Sequence, residues 1–112
     1  MYFKDSHFRE LAPEGARITR NSPNCITYYN GGTERGMILM NTVIIKQVNN
    51  ILTINSGGWR TNTTKKYIND FLPQELRLFQ KNYTRYIEKS NGEKREFTDR
   101  MQYNTVKQIF ID

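Results

Sequence analysis

The sequence predicts an α+β fold, a small antiparallel sheet with one short amphipathic helix packed across it. Three observations lead there. Short runs rich in β-branched and aromatic residues recur between turns built from Asn and Gly. A single segment, Thr64 to Leu72, carries apolar residues at helical spacing and is followed by a proline. The length of 112 residues, with seven Tyr, six Phe and one Trp, suits one folded domain with a modest core.

Taken in order, residues 1–20 read as an irregular arm or loop, broken by Pro13 and Gly15. "CITYYN", Cys25–Asn30, alternates as a strand does, and "GGTERG" follows as a turn. "MILMNTVIIKQV", Met37–Val48, is the longest apolar run and forms one bent strand or two broken at Asn41. Asn49–Asn50 predicts a two-residue hairpin turn into "ILTIN", because Asn tolerates positive φ. In the helix, Tyr67, Ile68, Phe71 and Leu72 share one face, and Lys65, Lys66, Asn69 and Asp70 share the other. Pro73 ends it. "ELRLFQ", "YTRYIEKS" and "EKREFTD" then form a meander turning at Lys81–Asn82 and Asn91–Gly92. "TVKQIFID" closes the chain as a strand or a short helix.

The formal net charge is +6, and most of the excess falls between Asn50 and Arg95. That balance suits polyanionic partners and excludes an acidic mimic of nucleic acid. Cys25 is alone, so neither an internal disulfide nor a cysteine-based zinc set is expected. No run has the length and apolarity of a signal peptide or a membrane span. The expectation is a cytoplasmic protein without membrane partners.

The densest stretch is "INSGGWRTNTTKKYINDFLPQ", Ile54–Gln74. A strand running through Gly57 and Gly58 into a helix start leaves backbone N–H groups available to an anion. Arg60 would add a bidentate donor, and Thr61, Thr63 and Thr64 would add hydroxyls. Lys65 and Lys66 occupy the first helical turn, where the helix dipole disfavours cations and a phosphate would offset the cost. The plain structural alternative is a packing turn with Asn62 or a neighbouring Thr as an ordinary N-cap and the Trp59 ring buried. Trp59 is expected to be buried with Arg60 left outside. In the meander, Arg77 and Phe79 share one strand face and Tyr83 and Arg85 another, a mix found where single strands stack and also in half-buried sheets.

Catalysis has little to stand on. Asp5, His7 and Glu10 are close in "DSHFRE", yet the spacing matches no metal or general-base motif, and the segment reads as a solvated loop. Cys25 has no nearby base. The expectation is a binding protein, not an enzyme, with no catalytic residues, metal or cofactor.

Ser56, Gly57, Gly58, Trp59, Arg60, Thr61, Thr63, Thr64, Lys65, Ile68 and Asn69 form an SGGWRT-x-TTK strand–loop–helix core. With "LFQKNYTRYIEKSNGEKREFTDRM" after it, this core resembles small, largely uncharacterised proteins encoded by bacteriophages. The resemblance spans Leu52 to Met101 and leaves the first fifty residues unmatched; Arg100 stands where the family pattern often has glycine. It implies a phage accessory protein that works by binding, in the host bacterial cytoplasm. The leading expectation is contact with nucleic-acid phosphates through Gly57, Gly58, Arg60, Thr61, Thr63, Thr64, Lys65 and Lys66, with Arg77 and Arg85. The rival is an inhibitor of host machinery or of a bacterial defence complex, anti-CRISPR-like, docking through Tyr28, Tyr29, Tyr83, Tyr86 or Tyr103. A virion or assembly component is a third.

Overall fold

The structure is a computed structural model that describes residues 3–57 and 61–111. Among those residues the order is α1 (Asp5–Leu11), β1 (Arg17–Ser22), β2 (Cys25–Asn30), β3 (Glu34–Leu39), β4 (Thr42–Val48) and β5 (Ile51–Ile54). There follow α2 (Asn62–Phe71), β6 (Leu76–Lys81), β7 (Thr84–Lys89), β8 (Lys94–Glu96), β9 (Met101–Asn104) and β10 (Ile109–Ile111). The α+β class is as expected, with the antiparallel strands divided between two sheets. One is seven-stranded, in the order β1-β2-β3-β4-β5-β9-β10, and the other is the three-stranded β6-β7-β8 meander.

Strand alternation gives the large sheet two apolar faces. Cys25, Met37, Leu39, Ile45, Leu52, Ile54, Tyr103 and Phe110 point one way. They share one core cluster with Ile68, Phe71 and Leu72 of the helical segment and with Leu76, Leu78, Ile87 and Phe97 of the small sheet. A register shift at Met37/Ile38 accommodates one extra residue in β4, so consecutive Ile44 and Ile45 are both fully buried. Ile26, Tyr28 and Ile38 point to the opposite face and form a second cluster with Phe8 and Ala16.

That second cluster corrects the reading of residues 1–20. Residues Asp5–Leu11 of this segment form α1, and its fully buried Phe8 closes the cluster beneath it. Asp5 in the first turn and Arg9 in the last suit the helix dipole, and Asp5 pairs with Arg20 of β1. Pro13 and Gly15 do mark a loop, but it is only the short link to β1. "GGTERG" is also more ordered than expected, since Glu34, Arg35 and Gly36 already belong to β3.

The turns follow the Asn positions. Asn49 and Asn82 adopt φ of 55° and 52°. The β6–β7 turn therefore sits at Asn82–Tyr83, one residue later than read, between the paired Lys81 and Thr84. Asn91–Gly92 lies in a hairpin closed by Lys89 N donating to Glu93 O, with Gly92 N donating to Lys89 O. Met40 and Asn41 separate β3 from β4, and the C-terminal segment ends as strand β10.

Candidate nucleic-acid interface

The root of the Gly-Gly loop is held from two sides. Ser56, almost fully buried, donates from its amide (2.9 Å) and hydroxyl (2.7 Å) to Asp99 Oδ1. Gly57 adopts φ +61°, and a Cβ there would stand 2.7 Å from the Thr42 side chain. Glycine is thus needed twice over, for its backbone and for its lack of bulk. The Gly57 amide, which the sequence offered to an anion, is occupied: it donates to Asn55 Oδ1 at 3.2 Å. Gly58, Trp59 and Arg60 lie outside the described residues, and so does the question of whether the Trp59 ring is buried.

Helix α2 begins at the N-cap Thr61, whose Oγ1 accepts from Thr64 N at 3.2 Å. This corrects the place of Thr64. Its side chain is fully buried, with its hydroxyl 3.0 Å from that of Thr61, so it faces inward and not towards a ligand. Lys65 N bonds to Thr61 O, which leaves the amides of Asn62 and Thr63 without an acceptor among the described residues. Thr63 is exposed beside them. The first turn contains no acidic residue, so Lys65 and Lys66 stand at the positive end of the dipole. Lys66 has a local partner that the sequence reading overlooked: its ammonium reaches Asp70 one turn on, at 2.9 Å. That bond raises the Lys66 pKa and keeps the side chain charged.

Asn69 joins the helix to the small sheet. Its Nδ2 donates to Leu78 O and its Oδ1 accepts from Leu78 N, both at 2.8 Å. These bonds satisfy Leu78 on the outer edge of β6, which carries no strand on that side among the described residues. Lys65 and Lys66 sit four and three residues before Asn69, on the same ridge of α2. They stand on the helix that Asn69 ties to β6.

On the sheet side, the register aligns Arg77 with Glu88 and Lys94, Phe79 with Tyr86 and Glu96, and Lys81 with Thr84. These residues form the outward face, because Leu78 and Ile87 between them are buried. Phe79 and Tyr86 stack with centroids 5.5 Å apart and planes at 28°. The Arg77 guanidinium lies 5.2 Å from the Phe79 centroid, and the Lys94 ammonium 5.1 Å from that of Tyr86. Arg77 also pairs with Glu88 at 3.3 Å. Lys81 and Lys94 were not among the sequence candidates; the strand register is what brings them to this face.

Arg85 is corrected. It is only 4% exposed and points to the inner side, so it is a packing residue and not a surface cation. Nor do Tyr83 and Arg85 share a face: Tyr83 belongs to the turn, at φ 67°, and is 96% exposed.

The tyrosine candidates divide. Tyr28 is buried, its ring laid over Gly36 where a Cβ would come within 2.5 Å, and its hydroxyl donates to Glu34 at 2.8 Å. Burial, with the Glu34 bond and charge added, raises its pKa. Tyr103 is fully buried against Phe110, and its hydroxyl has no partner among the described residues. Neither presents a surface. Tyr29, Tyr83 and part of Tyr86 do.

His7 is not on a solvated loop. It lies on α1, donates from Nε2 to Met40 O at 3.1 Å, and packs against Phe3 at 4.8 Å. Among the described residues no group of three or more potential metal ligands gathers, and no helix is long and apolar enough to cross a membrane. Burial pushes the Cys25 thiol up to about 11, against smaller opposing effects of the Asn21 amide and Lys66.

No curated protein and no solved structure matches the chain. The profile of the Kyanoviridae Gp96 protein family matches residues 14–105, which takes in β1–β4 as well as the loop, helix and meander that carry the phage resemblance. The chain belongs to the Kyanoviridae Gp96 protein family, a family of cyanophage-encoded proteins.

Proposed function

We propose that this phage protein is an accessory nucleic-acid-binding protein. It contacts phosphates along the β6 edge, between Lys65 and Lys66 of α2 and Arg77 and Lys81 of the sheet. The observation that carries this reading is the paired Asn69–Leu78 hydrogen bond, which seats the lysine-bearing helix α2 against the cation-bearing strand β6. The amides of Asn62 and Thr63 and the Thr63 hydroxyl extend the same surface towards the helix start. Asp70 and Glu88 compete for Lys66 and Arg77, but both pairs are exposed to solvent and weak, so a phosphate can replace either carboxylate.

The test is salt dependence. Fluorescence anisotropy of labelled DNA and RNA should show binding that weakens steeply with salt. The Lys65→Ala/Lys66→Ala variant should lower the slope of log K against log salt by roughly 0.7–0.9 per lost phosphate contact. Arg77→Ala should act likewise. An unchanged slope in both variants would remove this face from the account.

A second reading, a protein partner in the host, is favoured by a different surface. On the half of the large sheet away from α1, Val48, Ile51 and Ile109 form one row across β4, β5, β9 and β10, interrupted by Asn104, with Ile111 beside it. Val48, Ile109 and Ile111 are exposed. An apolar strip of this kind fits a docking protein such as a host defence component. On that reading, Ile109→Lys abolishes capture of a specific host protein from nuclease-treated lysate, and equal capture by the variant counts against it.

A further inference from the structure

The outward face of the β6–β7 hairpin has a property that phosphate binding alone does not use. Phe79 and Tyr86 present a stacked, half-exposed aromatic pair on the outward face of the small sheet. Tyr83 stands at the tip of the same hairpin, and its ring contributes nothing to the core, being 96% exposed. Its backbone is also costly. Asn82 and Tyr83 have φ of 52° and 67°, the turn type in which the second position favours glycine. A bulky aromatic residue is thus held in a left-handed conformation at a fully exposed site.

We infer that the nucleic acid bound at this face is single-stranded, laid along the hairpin with its bases against Phe79, Tyr86 and Tyr83. The inference rests on the nucleic-acid reading above. Aromatic rings stack on base faces that a duplex keeps inside its own stack, so rings in the open select unpaired bases. Successive rows on one face of a strand lie about 7 Å apart. The Lys81 row is therefore one step from the aromatic row, as an extended strand requires if its backbone is to run beside its stacked bases. Arg77 and Lys94 complete the charge complement at the other end of the rings. Glu88 and Glu96 share the face and oppose a phosphate there. They confine the backbone to the β6 side, where Lys81 and Arg77 stand.

Tyr83→Asn is the informative variant, because Asn tolerates the left-handed backbone and keeps the turn. The full-length variant should be at least as stable as the parent. Its affinity for a single-stranded oligonucleotide should fall about tenfold, the loss of one stacked base. A 2-aminopurine reporter in the strand should be quenched on binding the parent and less so on binding Tyr83→Asn or Phe79→Leu. The parent should also prefer the single strand to the duplex of the same sequence. Equal, salt-sensitive binding of both forms, unchanged in Tyr83→Asn, would overturn this inference and leave the phosphate-binding reading standing. No binding of any polymer at low salt would overturn both.

Discussion

Gly57 shows how a single residue holds the candidate site in place. Its φ of +61° and its contact with Thr42 leave no room for a side chain. Gly57→Ala should therefore destabilise the protein by about 2 kcal/mol or more, combining left-handed strain with overpacking. Thermal unfolding would register this directly. The sequence announced the glycine but not its neighbour, since Thr42 is brought to it only by the sheet. Cys25 illustrates a residue whose chemistry is set by burial. Its thiol pKa rises from 9.0 to about 11, so the folded state holds the proton more tightly than the unfolded chain. The stabilisation is complete below pH 9 and is lost as pH rises towards 11. Tyr28 and Tyr103 are shifted in the same direction. Stability measured by denaturant titration should fall across that window, and Cys25→Val should make the fall shallower. An identical alkaline loss in the variant would place its cause elsewhere.

Among the elements, α2 was legible because its period, its cap and Pro73 agree, and such agreement across levels marks a well-specified element. Helix α1 was not. With seven residues and one buried side chain it has too little periodicity to separate from a charged loop, and only contact with the sheet makes it a helix. The role of Asn69 was equally hidden. On the helix it looks like one more polar residue of the outer face, yet it closes the edge of β6. Asn69→Ala would leave both Leu78 backbone groups without partners and should cost about 2 kcal/mol. Hydrogen exchange at the Leu78 amide should accelerate beyond the change in global stability. If Leu78 keeps its protection, the helix is not what covers that edge. In the hairpin, the Asn-rich turns located the strand ends well, but the faces of Arg85 and Tyr83 depended on a turn set one residue later than the composition suggested.

For the molecule as a whole, the sign and location of the charge were visible in the sequence, whereas the shape that gathers it was not. The excess between Asn50 and Arg95 divides on folding. Arg85 is buried, Lys66 and Arg77 hold acidic neighbours, and Lys81 and Lys94 emerge beside an aromatic pair. Family membership gives the chain a cyanophage origin and no activity, so the functional account rests on this surface. Its central claim is that the β6 edge, lined by Lys65, Lys66, Arg77 and Lys81, binds nucleic-acid phosphates. The most direct measurement is the affinity of the parent and of Lys65→Ala/Lys66→Ala for a labelled single-stranded oligonucleotide across a salt series. The account predicts binding that weakens steeply with salt in the parent, with a lower affinity and a shallower slope in the variant. Parent and variant curves that coincide, or no binding by the parent at low salt, would contradict it.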